Sequence, residues 1–209
     1  MIPAGEALAR LREGNRRFVD GAPRLTPALT EARRLALADA QAPFAVVLGC
    51  SDSRVPAELV FAQGFGDLFV IRVAGNIVAP SQVGSVEFAA MRFGTRLVVV
   101  LGHTECGAVT AAVEALRRPE AALSPGLTDI VDRIRPAAAP LLAAGPGRSA
   151  ADLIADAVRA NVHATAEELR HGSDVLRSLV ERGDLAVVGA EYDLRSGVVE
   201  FFDGVPAER

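Results

Sequence analysis

Two short stretches of this chain share one pattern, in which a buried strand is followed at once by chemically reactive side chains. They are Phe44-Ala-Val-Val-Leu-Gly-Cys50-Ser-Asp-Ser-Arg54 and Leu97-Val-Val-Val-Leu-Gly-His-Thr-Glu-Cys106. Each begins with a continuous apolar run rich in β-branched residues, which is typical of a strand buried on both faces of a parallel sheet. Ligands bind beyond the carboxyl ends of such strands. The two stretches therefore predict both a fold class and the place of a site.

Three further apolar runs extend the pattern. Residues 68–73 and 185–189 predict two more doubly buried strands, and 198–202 follows Arg195-Ser-Gly197 closely enough to form a hairpin partner. The fold predicted is α/β, with a central, mainly parallel sheet of about four strands, one antiparallel edge strand and helices on both faces. The predicted helices span 56–63, 81–93, 107–118, 151–169 and 173–181, and the proline-interrupted segment 119–148 predicts one more, flanked by loops.

Two amphipathic helices are predicted ahead of the first strand, over 3–20 and 26–40. We expect them to pack on a partner subunit. A chain of this length is expected to form a single domain over 1–209, with an N-terminal helical arm over 1–41 and an α/β core over 42–209 that carries the predicted site.

The composition excludes several classes of protein. Twenty-two basic residues are outnumbered by 26 acidic ones and form no cluster, so we expect no nucleic-acid partner. No apolar stretch approaches the roughly 20 residues that span a bilayer, and the N-terminus lacks a signal-peptide pattern, so we expect no membrane contact and a cytoplasmic location. In such a reducing compartment the two cysteines are expected to be ligands or reactive thiols rather than a disulfide.

Both cysteines and one of the three histidines follow the two opening strands. If those strands are neighbours, Cys50, His103 and Cys106 converge with two thiolates and one imidazole, a donor set that suits zinc. A strand-end cysteine is often only a small buried hydrophobe. The joint placement of all three residues favours the metal.

Asp52 has two competing partners in this pattern. It can supply a fourth metal ligand, or its charge can pair with Arg54 two residues later. The first arrangement closes a zinc site, whereas the second leaves a position free for water. The sequence leaves both open.

Four motifs stand in order around these residues: Cys50-Ser-Asp-Ser-Arg-Val-Pro56, Gly66-Asp-Leu-Phe-Val-Ile-Arg-Val-Ala-Gly-Asn76, Gly84-Ser-Val-Glu-Phe88 and Gly102-His-Thr-Glu-Cys-Gly-Ala-Val109. With them, the chain resembles the β-class carbonic anhydrases over nearly its whole length. The resemblance implies one Zn²⁺ per subunit, held by Cys50, His103 and Cys106, with Asp52 and Arg54 as the dyad that opens or closes the site.

The same resemblance implies substrate-binding residues outside the ligand set. Gln41 matches an amide that hydrogen-bonds substrate, and Phe69 matches an aromatic wall contributed across a dimer interface. Phe88 stands at a position that is Tyr in some members of the family, so a hydroxyl contact is missing there. Gly107 is assigned to substrate binding as well. A homodimer or a dimer of dimers is expected, because Phe69 gains a role only when a second subunit completes the cleft.

The activity implied is that of a carbonate dehydratase, in which a zinc-bound hydroxide attacks CO₂ and gives bicarbonate and a proton. One alternative is hydrolysis of carbonyl sulfide or CS₂ on the same scaffold, which a comparison of turnover on CO₂ and carbonyl sulfide decides. The other is a closed-site zinc protein that acts as a bicarbonate sensor. The presence of Asp52, Arg54 and Gln41 argues against that sensor.

We predict that CO₂ hydration by this protein rises into the alkaline range. Two anionic thiolates in a ligand set neutralise Zn²⁺, so the bound water should be less acidic than one held by three neutral imidazoles, whose pKa is about 7. Stopped-flow assays between about pH 6 and pH 9 measure this dependence. A flat profile contradicts it.

Overall fold

The computed structural model describes residues 1–22, 30–118, 120, 122–144 and 149–206, and within these ranges strands alternate with helices. The strands are β1 (Ala45–Gly49), β2 (Leu68–Arg72), β3 (Leu97–His103), β4 (Ala186–Tyr192) and β5 (Val199–Asp203). The helices are α1 (Ala4–Val19), α2 (Glu31–Ala36), α3 (Ala57–Val60), α4 (Pro80–Phe93), α5 (Gly107–Arg117), α6 (Pro125–Ala144), α7 (Ala150–His171) and α8 (Asp174–Glu181).

The five strands form one sheet in the order β2-β1-β3-β4-β5. All neighbouring pairs are parallel except β4 and β5, which pair antiparallel with an irregularity between Gly189 and Ala190. The predicted mainly parallel sheet with an antiparallel edge strand is confirmed. Because β1 and β3 are adjacent, the two reactive stretches end side by side.

Helices cover both faces of the sheet, as predicted. Alternate strand residues point to opposite faces, so Val47 packs on the face covered by α1 and α3, and Leu48 packs on the face covered by α4, α7 and α8. A third apolar cluster joins α5, α6 and α7 and includes both cysteines. No helix within the described ranges is long and apolar enough to cross a membrane.

The prediction that every parallel strand is buried on both faces is wrong for β2. Of its five residues only Ile71 is buried, and Arg72 is exposed. The physical reason is position, because β2 lies at an edge of the sheet and pairs on one side only, with β1. Its apolar composition resembles that of the central strands, so the pattern did not distinguish an edge from a centre.

The N-terminal helices differ in what they bury. α1 places Ala7, Leu8 and Leu11 in the apolar core of its own chain. α2 buries no residue, begins at a Thr30 cap and is shorter than the predicted helix over 26–40, of which 26–29 lie outside the described residues. Packing of either helix on a partner subunit stays a prediction.

The proline-interrupted segment forms α6, although Pro136 and Pro140 lie inside it. Each proline removes a backbone donor that a helix interior normally uses. Ile134 and Ala138 are buried against neighbouring helices, so tertiary packing outweighs this local cost. Residues 119, 121 and 145–148 of the predicted segment lie outside the described residues.

A matched pair of glycines tests how closely α1 approaches the core. A Cβ atom on Gly14 would lie 1.9 Å from the carbonyl oxygen of Phe61, whereas a Cβ on Gly5 would have no neighbour within 4 Å. We expect Gly14→Ala to lower the free energy of unfolding by about 3 kcal/mol, because backbone must move. Gly5→Ala should raise it by about 0.5 kcal/mol, because Ala favours a helix. Urea unfolding measures both, and equal stabilities would contradict the close approach.

Candidate metal centre

Two strand ends bring three ligand-type side chains to one point. Gly49 in β1 lies opposite Leu101 in β3, so Cys50 and His103 leave the sheet at nearly the same level. Cys106 follows one turn later, as the residue that precedes α5. One donor atom of each of these residues lies within 4.8 Å of the donor atoms of the other two, and all three side chains are buried. The predicted convergence of Cys50, His103 and Cys106 is confirmed as geometry.

The orientation of the His103 ring leaves one nitrogen for a metal. Its Nδ1 lies 2.9 Å from the carbonyl oxygen of Thr104, which can only accept, so Nδ1 carries a proton and donates. Its Nε2 is fully buried and has no hydrogen-bond partner in the part of the chain that the structure describes. Buried polar atoms normally have hydrogen-bond partners. A histidine that binds a metal through one ring nitrogen typically donates a hydrogen bond from the other nitrogen, which fixes the orientation of the ring. The donor set and this unpartnered nitrogen fit Zn²⁺.

The two buried thiols interact with each other. A hydrogen bond from the Cys106 thiol lowers the pKa of the Cys50 thiol below its usual value, and the backbone N–H of Gly75 acts in the same direction. The pKa of Cys106 is raised, because it donates that bond and because it is buried beside the Cys50 thiolate. A divalent cation would displace the proton that Cys106 retains, so metal binding here releases a proton.

Asp52 and Arg54 form a bidentate ion pair at the rim of the triad. Arg54 donates from Nε to Oδ1 of Asp52 at 2.9 Å and from a terminal nitrogen to Oδ2 at 2.7 Å. The Arg54 guanidinium holds the pKa of the Asp52 carboxyl well below its usual range. Oδ2 of Asp52 nevertheless lies only 3.9 Å from Nε2 of His103. Of the two arrangements that the sequence left open, this structure has the pair with Arg54.

Arg72 fixes the loop that carries Cys50 and Asp52, a role that the sequence analysis missed. It stands at the end of β2 and donates to the carbonyl oxygen of Cys50 at 3.0 Å and to that of Asp52 at 2.6 Å. The available signal was a single charged residue at the carboxyl end of an otherwise apolar strand.

Gly75 was also missed. Its backbone N–H donates to Sγ of Cys50 at 3.3 Å. Its φ is +73°, and a Cβ there would lie 2.8 Å from Cδ1 of Ile134, so both conformation and space require glycine. Gly75 lies in one of the family motifs, but the sequence did not indicate that its backbone points a donor at a cysteine.

The turn between His103 and Cys106 is anchored to the β4–β5 hairpin. The hydroxyl of Thr104 accepts from the backbone N–H of Leu194 at 3.0 Å. Glu105, at φ +56°, pairs with Arg195 at 2.5 Å. Gly107 begins α5 directly after Cys106 and is exposed.

The predicted substrate residues Gln41, Phe69 and Phe88 do not lie at the triad of their own chain. Gln41 is exposed and precedes β1, so the length of that strand, about 16 Å at 3.3 Å per residue, separates it from Cys50. Phe69 lies opposite Val46, near the start of β1.

These three residues instead share one edge of the molecule. Phe69 contacts Phe88 and Phe93, with ring centroids 6.3 and 6.1 Å apart. Phe93 lines, together with Gln41, a cleft of about 660 Å³. Phe88 is half exposed. The predicted site residues thus fall into two groups within one chain.

Comparison with known proteins agrees with this geometry. The sequence model of the carbonic anhydrase family matches residues 45–199. The carbonic anhydrase of Mycolicibacterium smegmatis is 42% identical over 190 residues, which are 91% of this chain and 89% of that protein. Carbonic anhydrase 2 of Mycobacterium tuberculosis is 40% identical over 188 residues, which are 90% of this chain and 87% of that protein.

A solved structure extends the comparison to the fold. The β-carbonic anhydrase CafA of Aspergillus fumigatus superposes with a TM-score of 0.72 at 29% identity, over 97% of this chain and 91% of that one. The family match covers β1 to β4, ends at the first residue of β5 and includes both strand-end turns. The chain therefore belongs to the carbonic anhydrase family, as a carbonate dehydratase of the β class.

Proposed function

We propose that Cys50, His103 and Cys106 hold one Zn²⁺ per subunit and that the protein catalyses the reversible hydration of CO₂ to bicarbonate and a proton at this point. The observation that carries the proposal is the buried sulfur, nitrogen and sulfur set, in which Nε2 of His103 has no hydrogen-bond partner among the described residues. Zinc supplies Lewis acidity in such a set, which lowers the pKa of water and makes hydroxide available.

Asp52 serves as the acceptor that orients the reacting water. Arg54 keeps its carboxylate anionic and occupies both oxygens, and Oδ2 still lies within 3.9 Å of the His103 nitrogen. An anionic carboxylate only accepts hydrogen bonds, so it turns the water's lone pair away from itself and toward CO₂. Pairing of Asp52 with Arg54 also supports an enzyme over a closed-site sensor, because both carboxylate oxygens are engaged by the guanidinium.

CO₂ is the substrate that the comparisons favour over carbonyl sulfide or CS₂. The relatives with 40% and 42% identity bear the name carbonic anhydrase. A cytoplasmic location is supported by the two thiols, since they lie within 4.8 Å of each other and an oxidising compartment would favour a disulfide between them.

The grouping of the substrate residues supports a homodimer, alone or as a dimer of dimers, with each site completed by the partner. Gln41 and the Phe69 cluster lie beside an edge strand, away from their own triad. Phe88 and Met91 of α4 expose large apolar side chains on this side. A second copy that covers this edge would bury those side chains and receive Gln41 and Phe69 at its own metal centre.

The ligand assignment predicts that Cys50→Ser removes both bound zinc and CO₂ hydration. A serine hydroxyl stays protonated at neutral pH and is a poor zinc ligand compared with a thiolate. Zinc content by atomic absorption and stopped-flow hydration measure the two effects. Ser53→Ala, an exposed substitution in the same loop, is the control and should retain both. Stoichiometric zinc in Cys50→Ser would overturn the assignment.

The shared site predicts complementation between two defective subunits. A heterodimer of Gln41→Ala with Cys50→Ser, isolated through two different tags, contains one triad that faces an intact Gln41. We expect about half the wild-type activity, equal to that of a Cys50→Ser heterodimer with wild type and above that of the Gln41→Ala homodimer. Activity no higher than that of the Gln41→Ala homodimer would place Gln41 at the site of its own chain. Recovery of monomers only would contradict the dimer.

A further inference from the structure

A buried carboxamide on α7 reaches the metal centre indirectly. Asn161 is 2% exposed and lies on the helix face that otherwise carries apolar residues such as Val158 and Val162. Burying an amide without a partner is costly, so its contacts indicate why it is there. Its Nδ2 donates to the carbonyl oxygen of Gly75 at 2.8 Å.

Gly75 is the residue whose N–H points at Sγ of Cys50, at 3.3 Å. Its left-handed conformation is followed by a second one, because Asn76 has a φ of +43°. Two consecutive left-handed residues, one of them not glycine, persist only where the surroundings hold them. The hydrogen bond from Asn161 restrains Gly75 from outside the loop, and Ala108 and Ile134 pack against the same glycine.

The N–H bond to Cys50 has a consequence for metal chemistry. A donor that points at a thiolate draws electron density from the sulfur, which then passes less charge to a bound cation. The cation keeps more of its Lewis acidity, the property that activates water. Loss of this bond would make Cys50 a more electron-rich ligand.

We propose that Asn161 is a positioning residue of the metal centre, which acts through Gly75 to keep a hydrogen bond on the Cys50 thiolate. The proposal rests on the proposed role of Cys50 as a metal ligand. Asn161 donates to Gly75, and Gly75 in turn donates to Cys50, so Asn161 acts on the ligand through a single backbone turn.

The test uses the full-length protein loaded with Co²⁺, whose sulfur-to-metal absorption band reports the electron density of the thiolates. Asn161→Leu keeps a side chain of similar size and removes the donor. We expect the band to move to longer wavelength, because the thiolate becomes more electron-rich. The affinity for Zn²⁺, from competition with a chelator, should fall by about tenfold, because Cys50 loses the bond that orients it and this outweighs its stronger donation. Asn161→Ser, which retains a shorter donor, should show a smaller shift and covers the case in which the leucine variant does not fold.

Leu169→Ala is the control for a purely structural effect. It shortens a fully buried side chain two turns further along α7, where it packs in a different cluster from Cys50. We expect a lower melting temperature with an unchanged band and unchanged affinity. An unchanged band and affinity in both Asn161 variants would overturn the proposal. Absence of the sulfur band in wild-type protein would overturn the proposed ligand role of Cys50 itself, and the role of Asn161 with it.

Discussion

Parallel pairing of β1 with β3 is the constraint on which the rest of this structure depends. Neighbouring strands lie about 4.8 Å apart, so two strand ends at the same level bring Cys50 and His103 within ligand distance. A single strand inserted between them would about double that separation and leave no common point for a metal. The helices on both faces bury the paired strands, and their packing therefore protects the alignment of the two turns.

Around that point, polar groups fix each ligand in a separate way. The Thr104 carbonyl accepts from Nδ1 of His103 and so fixes the proton on that nitrogen. The Gly75 N–H donates to Sγ of Cys50. Arg72 donates to the carbonyl oxygens of Cys50 and Asp52, and Arg54 forms an ion pair with the Asp52 carboxylate. Most of these contacts run between different elements of the fold. The proposed centre is thus a property of the whole sheet end, and residues such as Asn161 on α7 belong to it although they stand far away in sequence.

The residues predicted to bind substrate lie at a different place in the molecule from the three ligand-type residues. Gln41 and the aromatic cluster of Phe69, Phe88 and Phe93 lie at the β2 edge, where a strand paired on one side only and exposed large apolar side chains meet. Monomeric proteins rarely expose such surfaces together. Under the proposed function, a second copy at this edge would bring the predicted substrate residues of one chain to the predicted ligands of the other, which would link assembly to activity.

Sequence by itself determined the order of strands and helices, the edge hairpin, and the three ligand-type residues, because buried strands and scarce cysteines leave strong local signals. It could not distinguish β2 as an edge strand, since its composition matches that of a central one. Only the tertiary structure decided that Asp52 pairs with Arg54, that Gly75 and Asn161 support Cys50, and that Gln41 lies away from its own triad. Gly75 and Asn161 come from elements distant in sequence, so their contacts depend on which strands and helices become neighbours. Asp52 and Arg54 are only two residues apart, but the local sequence permits two arrangements, and they lie in a loop that Arg72 of the neighbouring strand holds.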